Sequence, residues 1–252
     1  MAQSEIIRPD VTLDVIGPGG CIGLIALATD FNTEQDLRRI FPDDIEIFTN
    51  RVLNANPLTL QNLRNMADDI SRAAAGILPG VELDAMIYGC TSGTVANGAD
   101  KIEALIHKSC PGVAVTNPAS AALAAFTHFS ARRISILTPY IEEVNLEMSD
   151  FFEAQGIEVI NIVGMGYDND IDITRIPSQA IADIAAQLCD STADLLFISC
   201  TAMRAAAVVE TIEQALGKPV VTSNQALVWH CLKLIGYSGT VHGFGSLFAT
   251  TG

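Results

Sequence analysis

The sequence predicts an α/β fold with parallel sheets, arranged as two similar lobes that share one cleft. Three observations carry this expectation. Short apolar runs alternate with segments of helical spacing along the chain, the pattern of parallel sheets covered by helices. The pattern restarts near the middle: Thr29 and Thr138 close first strands 109 residues apart, Cys90 and Cys200 lie 110 apart, and Thr116 and Thr222 lie 106 apart. In both halves these polar landmarks fall at the carboxyl ends of strands, where open parallel sheets bind their ligands.

Taken in order, residues 1–20 read as an irregular lead-in that breaks at Gly17-Pro18-Gly19-Gly20. Cys21 to Ala28 is apolar and short enough for a buried strand. A polar loop follows, in which Asn32 or Thr33 suits the cap of a helix running to Ile40. Ile45 to Thr49 alternates as a strand, Leu58 to Leu78 has helical spacing, and Ala85 to Tyr88 is a strand. Gly89-Cys90-Thr91-Ser92-Gly93-Thr94 then makes a tight turn into a helix reaching His107. A short strand at 113–115 and a helix over Ala119–Phe129 complete the first half. The second half repeats the scheme: strand 133–137, a helix through Ala154, strand 157–163, helix 177–188 and strand 195–199. Cys200 is expected to enter a helix running to about Leu216, followed by a strand over 219–221 and a closing helix over 225–235.

At 252 residues and 49% hydrophobic, the chain can bury a large core. Its longest apolar runs are too short to span a membrane, and the first ten residues show no apolar leader segment, so a cytoplasmic location is expected. The net charge of −15 argues against a nucleic-acid or anionic-membrane partner. The six cysteines show no CxxC pairs and the four histidines no HxH or HxxxH pair, which makes a zinc site unexpected. There is no GxGxxG and no P-loop, so no nucleotide cofactor is expected.

Cys21, Cys110, Cys189 and Cys231 sit in apolar context and read as small core residues. Cys90 and Cys200 differ, since each follows a strand and precedes hydroxyl residues. An ordinary thiol is only about 3% thiolate at neutral pH, and reaching half requires roughly 2 kcal/mol of preferential stabilisation. A helix N-terminus with two or three amide donors supplies that much, and no histidine is needed. Asp30 reads equally well as a helix cap or as a ligand contact. Tyr140 ends a strand, with its phenol expected in the cleft rather than only packed. Asn169 lies among Asp168, Asp170 and Asp172, where a solvated turn is the ordinary role. Asn117 and Asn224 read as turn residues.

Several of these stretches together resemble the Asp/Glu racemase superfamily, within it the branch of maleate cis-trans isomerase and arylmalonate decarboxylase. The carriers are Tyr88-Gly89-Cys90-Thr91-Ser92-Gly93-Thr94, Leu137-Thr138-Pro139-Tyr140 with Val144-Asn145, Ser199-Cys200-Thr201 with Arg204, and Lys218 through Leu227. The resemblance covers roughly residues 20–240. It implies two flavodoxin-like lobes related by a pseudo-twofold axis: residues 1–118 with 226–252 carrying Cys90, and 119–225 carrying Cys200. It further implies no cofactor, a homodimer, and Cys90 and Cys200 on opposite sides of a small carboxylate-bearing substrate. Tyr140 matches a substrate-binding tyrosine and Asn169 a ligand-binding asparagine. Thr91, Ser92, Thr201 and Ala202, which follow the two cysteines, are the expected carboxylate holders. Decarboxylases of the branch lack the first cysteine, so the presence of both thiols argues against that activity.

One departure bears on the substrate. Maleate isomerases carry Pro-Ser-Ser-Asn where this chain has Leu27-Ala28-Thr29-Asp30. A carboxylate there repels a dianion and favours an ammonium, an amidinium or a hydroxyl donor. The surrounding string, Ala26 to Glu34, is most similar to racemase-type proteins of hydroxyectoine utilisation. The expected function is therefore a two-cysteine racemase or epimerase acting α to a carboxylate. The alternatives are a maleate-type cis-trans isomerase with Cys90 as nucleophile, a decarboxylase, or a two-lobed binding protein with inert thiols.

Overall fold

The computed structural model describes residues 4–249. Two four-stranded sheets, parallel throughout, form the centre of the molecule. The first contains β1 (Gly20–Leu27), β2 (Ile45–Val52), β3 (Ala85–Tyr88) and β4 (Ala114–Thr116), in the order β2-β1-β3-β4. The second contains β5 (Arg133–Thr138), β6 (Glu158–Gly164), β7 (Leu195–Ile198) and β8 (Val220–Thr222), in the order β6-β5-β7-β8. The two orders are the same, and the landmarks at offsets of 106 to 110 residues lie just beyond or on corresponding strands. β3 and β7 are buried at every position, which is why they read as unbroken apolar runs rather than alternating ones.

The helices of the first half are α1 (Thr33–Ile40), α2 (Leu60–Asn65), α3 (Ala67–Ala75), α4 (Thr91–Asn97), α5 (Ala99–His107) and α6 (Pro118–His128). Those of the second are α7 (Glu142–Ala154), α8 (Asp170–Arg175), α9 (Ser178–Leu188), α10 (Val209–Leu216), α11 (Ser223–Leu234) and α12 (Ser246–Ala249). α6 and α11, which follow corresponding strands, pack against each other. α6 starts with Pro118 behind an Asn117 cap, whose Oδ1 accepts the Ser120 amide at 2.9 Å. α11 starts with a capping box formed by Thr222 and Gln225.

Two expected helices are divided. The Leu58–Leu78 stretch forms α2 and α3, separated at Met66. The helix expected to reach His107 breaks at Gly98, whose φ of 84° suits glycine and ends α4. A third expectation fails more instructively: no helix starts at Cys200. A turn follows it, then a 3-10 segment (Ala206–Val208), and α10 starts only at Val209. No helix among the described residues is long and apolar enough to cross a membrane.

Candidate active site

The first cysteine turn sits where β1 and β3 run side by side, at the point where strand order reverses. Gly89 donates its amide to Ile25 O at 2.8 Å, which carries the ladder to the edge of the cysteine. Cys90 is the N-cap of α4, and its sulfur accepts the Gly93 amide at 3.2 Å. Gly93 is needed here, because a Cβ would lie 2.7 Å from the Tyr88 hydroxyl, 2.8 Å from Met66 Cε and 2.9 Å from the Cys90 sulfur. The expected thiol at a helix N-terminus is therefore realised at Cys90.

The second turn is held by different means. Cys200 has φ 153°, in the region that favours glycine, a conformation costing about 1–3 kcal/mol unless its surroundings hold it. Its amide donates to Ser223 Oγ at 3.0 Å, and the Thr201 hydroxyl donates to Gly89 O at 3.1 Å. Thr201 O accepts amide hydrogens from Asn32 at 3.0 Å and Asn224 at 2.8 Å, and Met203 O accepts from Asn32 at 3.2 Å. The bonds to Asn32 and Gly89 tie the chain after Cys200 to the other lobe, those to Ser223 and Asn224 tie it to the start of α11, and their geometry is that of a turn rather than a helix start. Ser223 serves both turns, since its hydroxyl also meets Thr91 Oγ1 at 2.9 Å.

Two hydroxyls accompany the two thiols. The Cys90 sulfur lies 3.8 Å from Ser92 Oγ. The Tyr140 hydroxyl is within electrostatic reach of both Ser92 and the Cys200 sulfur. Tyr140 is held by its own motif: its amide donates to Thr138 Oγ1 at 3.1 Å, Thr138 donates to Asn145 Oδ1 at 2.5 Å, and Asn145 Nδ2 reaches Tyr140 O at 3.3 Å. Gly164 leaves room for this clasp, as a Cβ there would lie 2.1 Å from Asn145 Nδ2. Cys90, Cys200 and Tyr140 are 3%, 6% and 2% exposed, so all three are nearly sealed from solvent.

Burial dominates the electrostatics and corrects the expectation of a neutral-pH thiolate. Burial pushes the Cys90 thiol up to about 12, against the opposing Gly93 amide and Ser92 hydroxyl; the Asp170 and Asp30 charges push the same way. Burial raises Cys200 as well, followed by Asp170, while the Tyr140 hydroxyl and Ala202 amide oppose it. A charge on Cys90 also raises Cys200, which places the two sulfurs within electrostatic reach of each other. In this enclosed state both thiols carry their protons, because one or two donors do not offset the loss of solvent.

Asn32 stands at the N-cap position of α1, as expected, but makes no capping bond with its side chain; Asp30, two residues earlier, supplies the acceptors. Its Oδ1 accepts the Asn32 and Thr33 amides at 2.7 and 2.8 Å, and its Oδ2 accepts the Thr33 hydroxyl at 2.5 Å and the Thr201 hydroxyl at 3.5 Å. Asn169 also caps a helix, with Oδ1 accepting the Ile171 amide at 2.9 Å. Its loop is not uniformly solvated, since Asp170 is buried and bound to Thr29 and Asn54 of the first half. Ala202 is buried beside the second thiol.

Sequence reasoning missed Asp170, Asn32, Asp36, Ser223 and Asn224. Asn224 and Asn32 both donate to Asp36 Oδ2, at 2.9 and 2.8 Å, and burial raises the Asp36 carboxyl above its usual range. A polar Ser-Asn pair directly after a strand-end Thr was the available signal for Ser223 and Asn224. Of the cysteines expected to be small core residues, Cys231 is buried in the core, while Cys21, Cys110 and Cys189 are half-buried and packed against it. No group of three or more His, Cys, Asp or Glu suited to a metal ion occurs among the described residues.

Known proteins share both the sequence pattern and this architecture. The chain is 21% identical over 243 residues to a maleate isomerase of Geobacillus stearothermophilus, covering 90% of this chain and 96% of that protein. The maleate isomerase of Pseudomonas putida S16 superposes with a TM-score of 0.85 at 18% identity, over 92% of this chain and 99% of that one. A Nocardia farcinica maleate cis-trans isomerase mutant with a covalently bound succinylcysteine intermediate superposes with a TM-score of 0.84 at 19% identity, over 91% of this chain and 98% of that one. The arylmalonate decarboxylase family model matches residues 22–248, so with this match spanning both lobes and both cysteine turns, the chain belongs to the arylmalonate decarboxylase family.

Proposed function

We infer that the protein is a two-thiol isomerase of a small unsaturated carboxylic acid, working by thiol addition as its maleate isomerase relatives suggest. The observation that carries this reading is the grouping of Cys90, Ser92, Tyr140 and Cys200, two thiols and two hydroxyls that are all buried and within electrostatic reach of one another. Cys90, at the helix N-terminus, is the better placed nucleophile. Its thiol proton passes to a substrate carboxylate, which returns it when the S–C bond breaks. Its sulfur adds to one alkene carbon while the π electrons move to the neighbouring carbon and its carboxylate. The Cys200 thiol gives that carbon a proton, the bond rotates, Cys200 takes the proton back, and the S–C bond breaks to release the trans acid. The cycle is redox-neutral and regenerates both thiols. Thr91, Ser92, Tyr140, Thr201 and Ala202 supply donors for the carboxylate and the developing charge.

The test is a panel of cis-unsaturated acids, maleate included, followed by loss of the cis form and by intact-mass measurement. Turnover requires both thiols, and Cys200→Ser accumulates a thioether on Cys90 because the proton step is impaired. Unchanged turnover in Cys90→Ser sinks the reading.

A second reading, racemisation α to a carboxylate, is favoured by one observation: Asp30 and Asp170 are acidic where a plain dianion would be repelled. One thiolate removes the α proton and the other thiol returns one from the opposite face. In heavy water this route puts deuterium on the stereocentre of the recovered enantiomer. Racemisation without solvent exchange excludes it.

A further inference from the structure

Tyr88 closes β3 two residues before Cys90, and its hydroxyl is a buried donor without a partner. The residue is fully buried, and among the described residues nothing hydrogen-bonds that oxygen. Native proteins rarely leave such a group unpaired, since burial costs it the bonds it made in water. Gly93 shows what the hydroxyl faces. A Cβ at that glycine would lie 2.7 Å from the Tyr88 hydroxyl and 2.9 Å from the Cys90 sulfur, so the two atoms flank one small gap. The third atom at that gap is the methyl carbon of Met66, 2.8 Å from the same point, which accepts nothing. The sulfur is the polar atom across the gap.

The second half of the molecule has no counterpart to Tyr88. Two residues before Cys200, β7 ends in Ile198. Cys200 instead has the Tyr140 hydroxyl within electrostatic reach, delivered from the loop between β5 and α7. Each thiol thus has one buried phenol beside it, supplied by a different element.

The protonation state of Cys90 decides whether Tyr88 can bond. A neutral thiol is a weak acceptor and a thiolate a strong one. Burial first, and then the charge on Cys90, hold the Tyr88 hydroxyl well above its usual range, so it stays a donor. The phenol is idle while Cys90 keeps its proton and gains a partner when the proton leaves. A donor of this kind stabilises the charged form alone, which offsets part of the burial that pushes Cys90 up to about 12.

We propose that Tyr88 is a further functional residue of the site, a positioning residue whose waiting hydroxyl donates to the Cys90 sulfur as it ionises and so prepares the nucleophile. The proposal rests on the two-thiol reading above, in which Cys90 attacks.

The test compares wild type with Tyr88→Phe and needs no substrate. Alkylation of Cys90 by iodoacetamide is followed by peptide mapping from pH 7 to 10, with Cys110, on the loop between α5 and β4, as internal reference. Cys90 of the variant reacts about threefold to tenfold more slowly at each pH. Tenfold corresponds to a thiol pKa higher by about one, and the lower figure allows for the greater nucleophilicity of a more basic sulfur. Cys110 reacts at the wild-type rate. Thermal melts at pH 7 show the variant as stable as wild type or more so, because deleting an unpaired buried hydroxyl removes no native bond. Equal or faster alkylation of Cys90 overturns the proposal. A variant that melts clearly lower or fails to fold also overturns it, since the hydroxyl then serves the resting structure and not the thiolate. Turnover of Cys90→Ser is scored separately: unchanged turnover sinks the two-thiol reading, whereas slowed alkylation in Tyr88→Phe still supports the thiolate donor.

Discussion

Cys90 and Cys200 end corresponding strands, yet only Cys90 is built into a helix. The Cys90 turn is local: sulfur, Gly93 amide, Thr94 hydroxyl and the Cys90 carbonyl all belong to one helix start. The Cys200 turn is held from a distance, by Ser223, Asn224 and Asn32. A duplicated fold therefore presents one thiol on a frame built within one helix start and the other on a frame assembled from segments distant in the chain. The difference fits the roles proposed above, a nucleophile on the first turn and a proton-handling group on the second.

The sharpest way to break this comparison is to remove the thiols one at a time. Cys90→Ser and Cys200→Ser each lower turnover by about a thousandfold or more, but only Cys200→Ser retains a covalent adduct in the mass spectrum. Equal adduct in both variants erases the asymmetry.

Next in size are the glycines that admit each frame. Gly93→Ala forces a Cβ against Tyr88, Met66 and the Cys90 sulfur and destabilises the protein by about 1–3 kcal/mol, read by urea denaturation. It also displaces the first thiol, so kcat falls with stability.

Ser223→Ala strips a partner from both turns at once, leaving the Cys200 amide and the Thr91 hydroxyl unpaired. The expected loss is about 1–3 kcal/mol. Because the Cys200 frame depends on this contact more heavily, the variant's Cys200 is alkylated faster while Cys90 changes little, as peptide mapping after iodoacetamide will show.

The smallest effect is a pH slope. Both thiols have folded-state values raised above their ordinary value of 9.0. Above that ordinary value the unfolded chain releases these protons and the enclosed native state keeps them. Stability is therefore fully present below about 9 and falls as pH rises toward the raised values, near 12 for Cys90. Thermal melts from pH 8 to 10.5 should show a shallower decline in Cys90→Ala than in wild type. Identical slopes contradict the burial argument.

The strands, their parallel pairing and the doubled plan were legible in the sequence because each rests on local pattern. β3 and β7 are fully apolar and end in polar turns, and the repeat offsets match the corresponding strands of the two sheets. Cys90, Cys200 and Tyr140 were legible for the same reason, standing at strand ends in short distinctive motifs. Asp170 was not, since an acid in an acidic loop looks solvated until Thr29 and Asn54, more than 100 residues away, are seen to enclose it. Nor was the missing helix after Cys200, because local propensity cannot register a carbonyl claimed by Asn32 from the other half.

The sequence by itself determined which thiols exist, where the strands deliver them, and that two lobes repeat one plan. Only the tertiary structure decided their protonation, because burial and long-range charges, not neighbours in the chain, raise both pKa values. It also decided which turn is self-supporting, since hydrogen bonds within one helix start form locally, while those that hold Cys200 require two distant segments to meet.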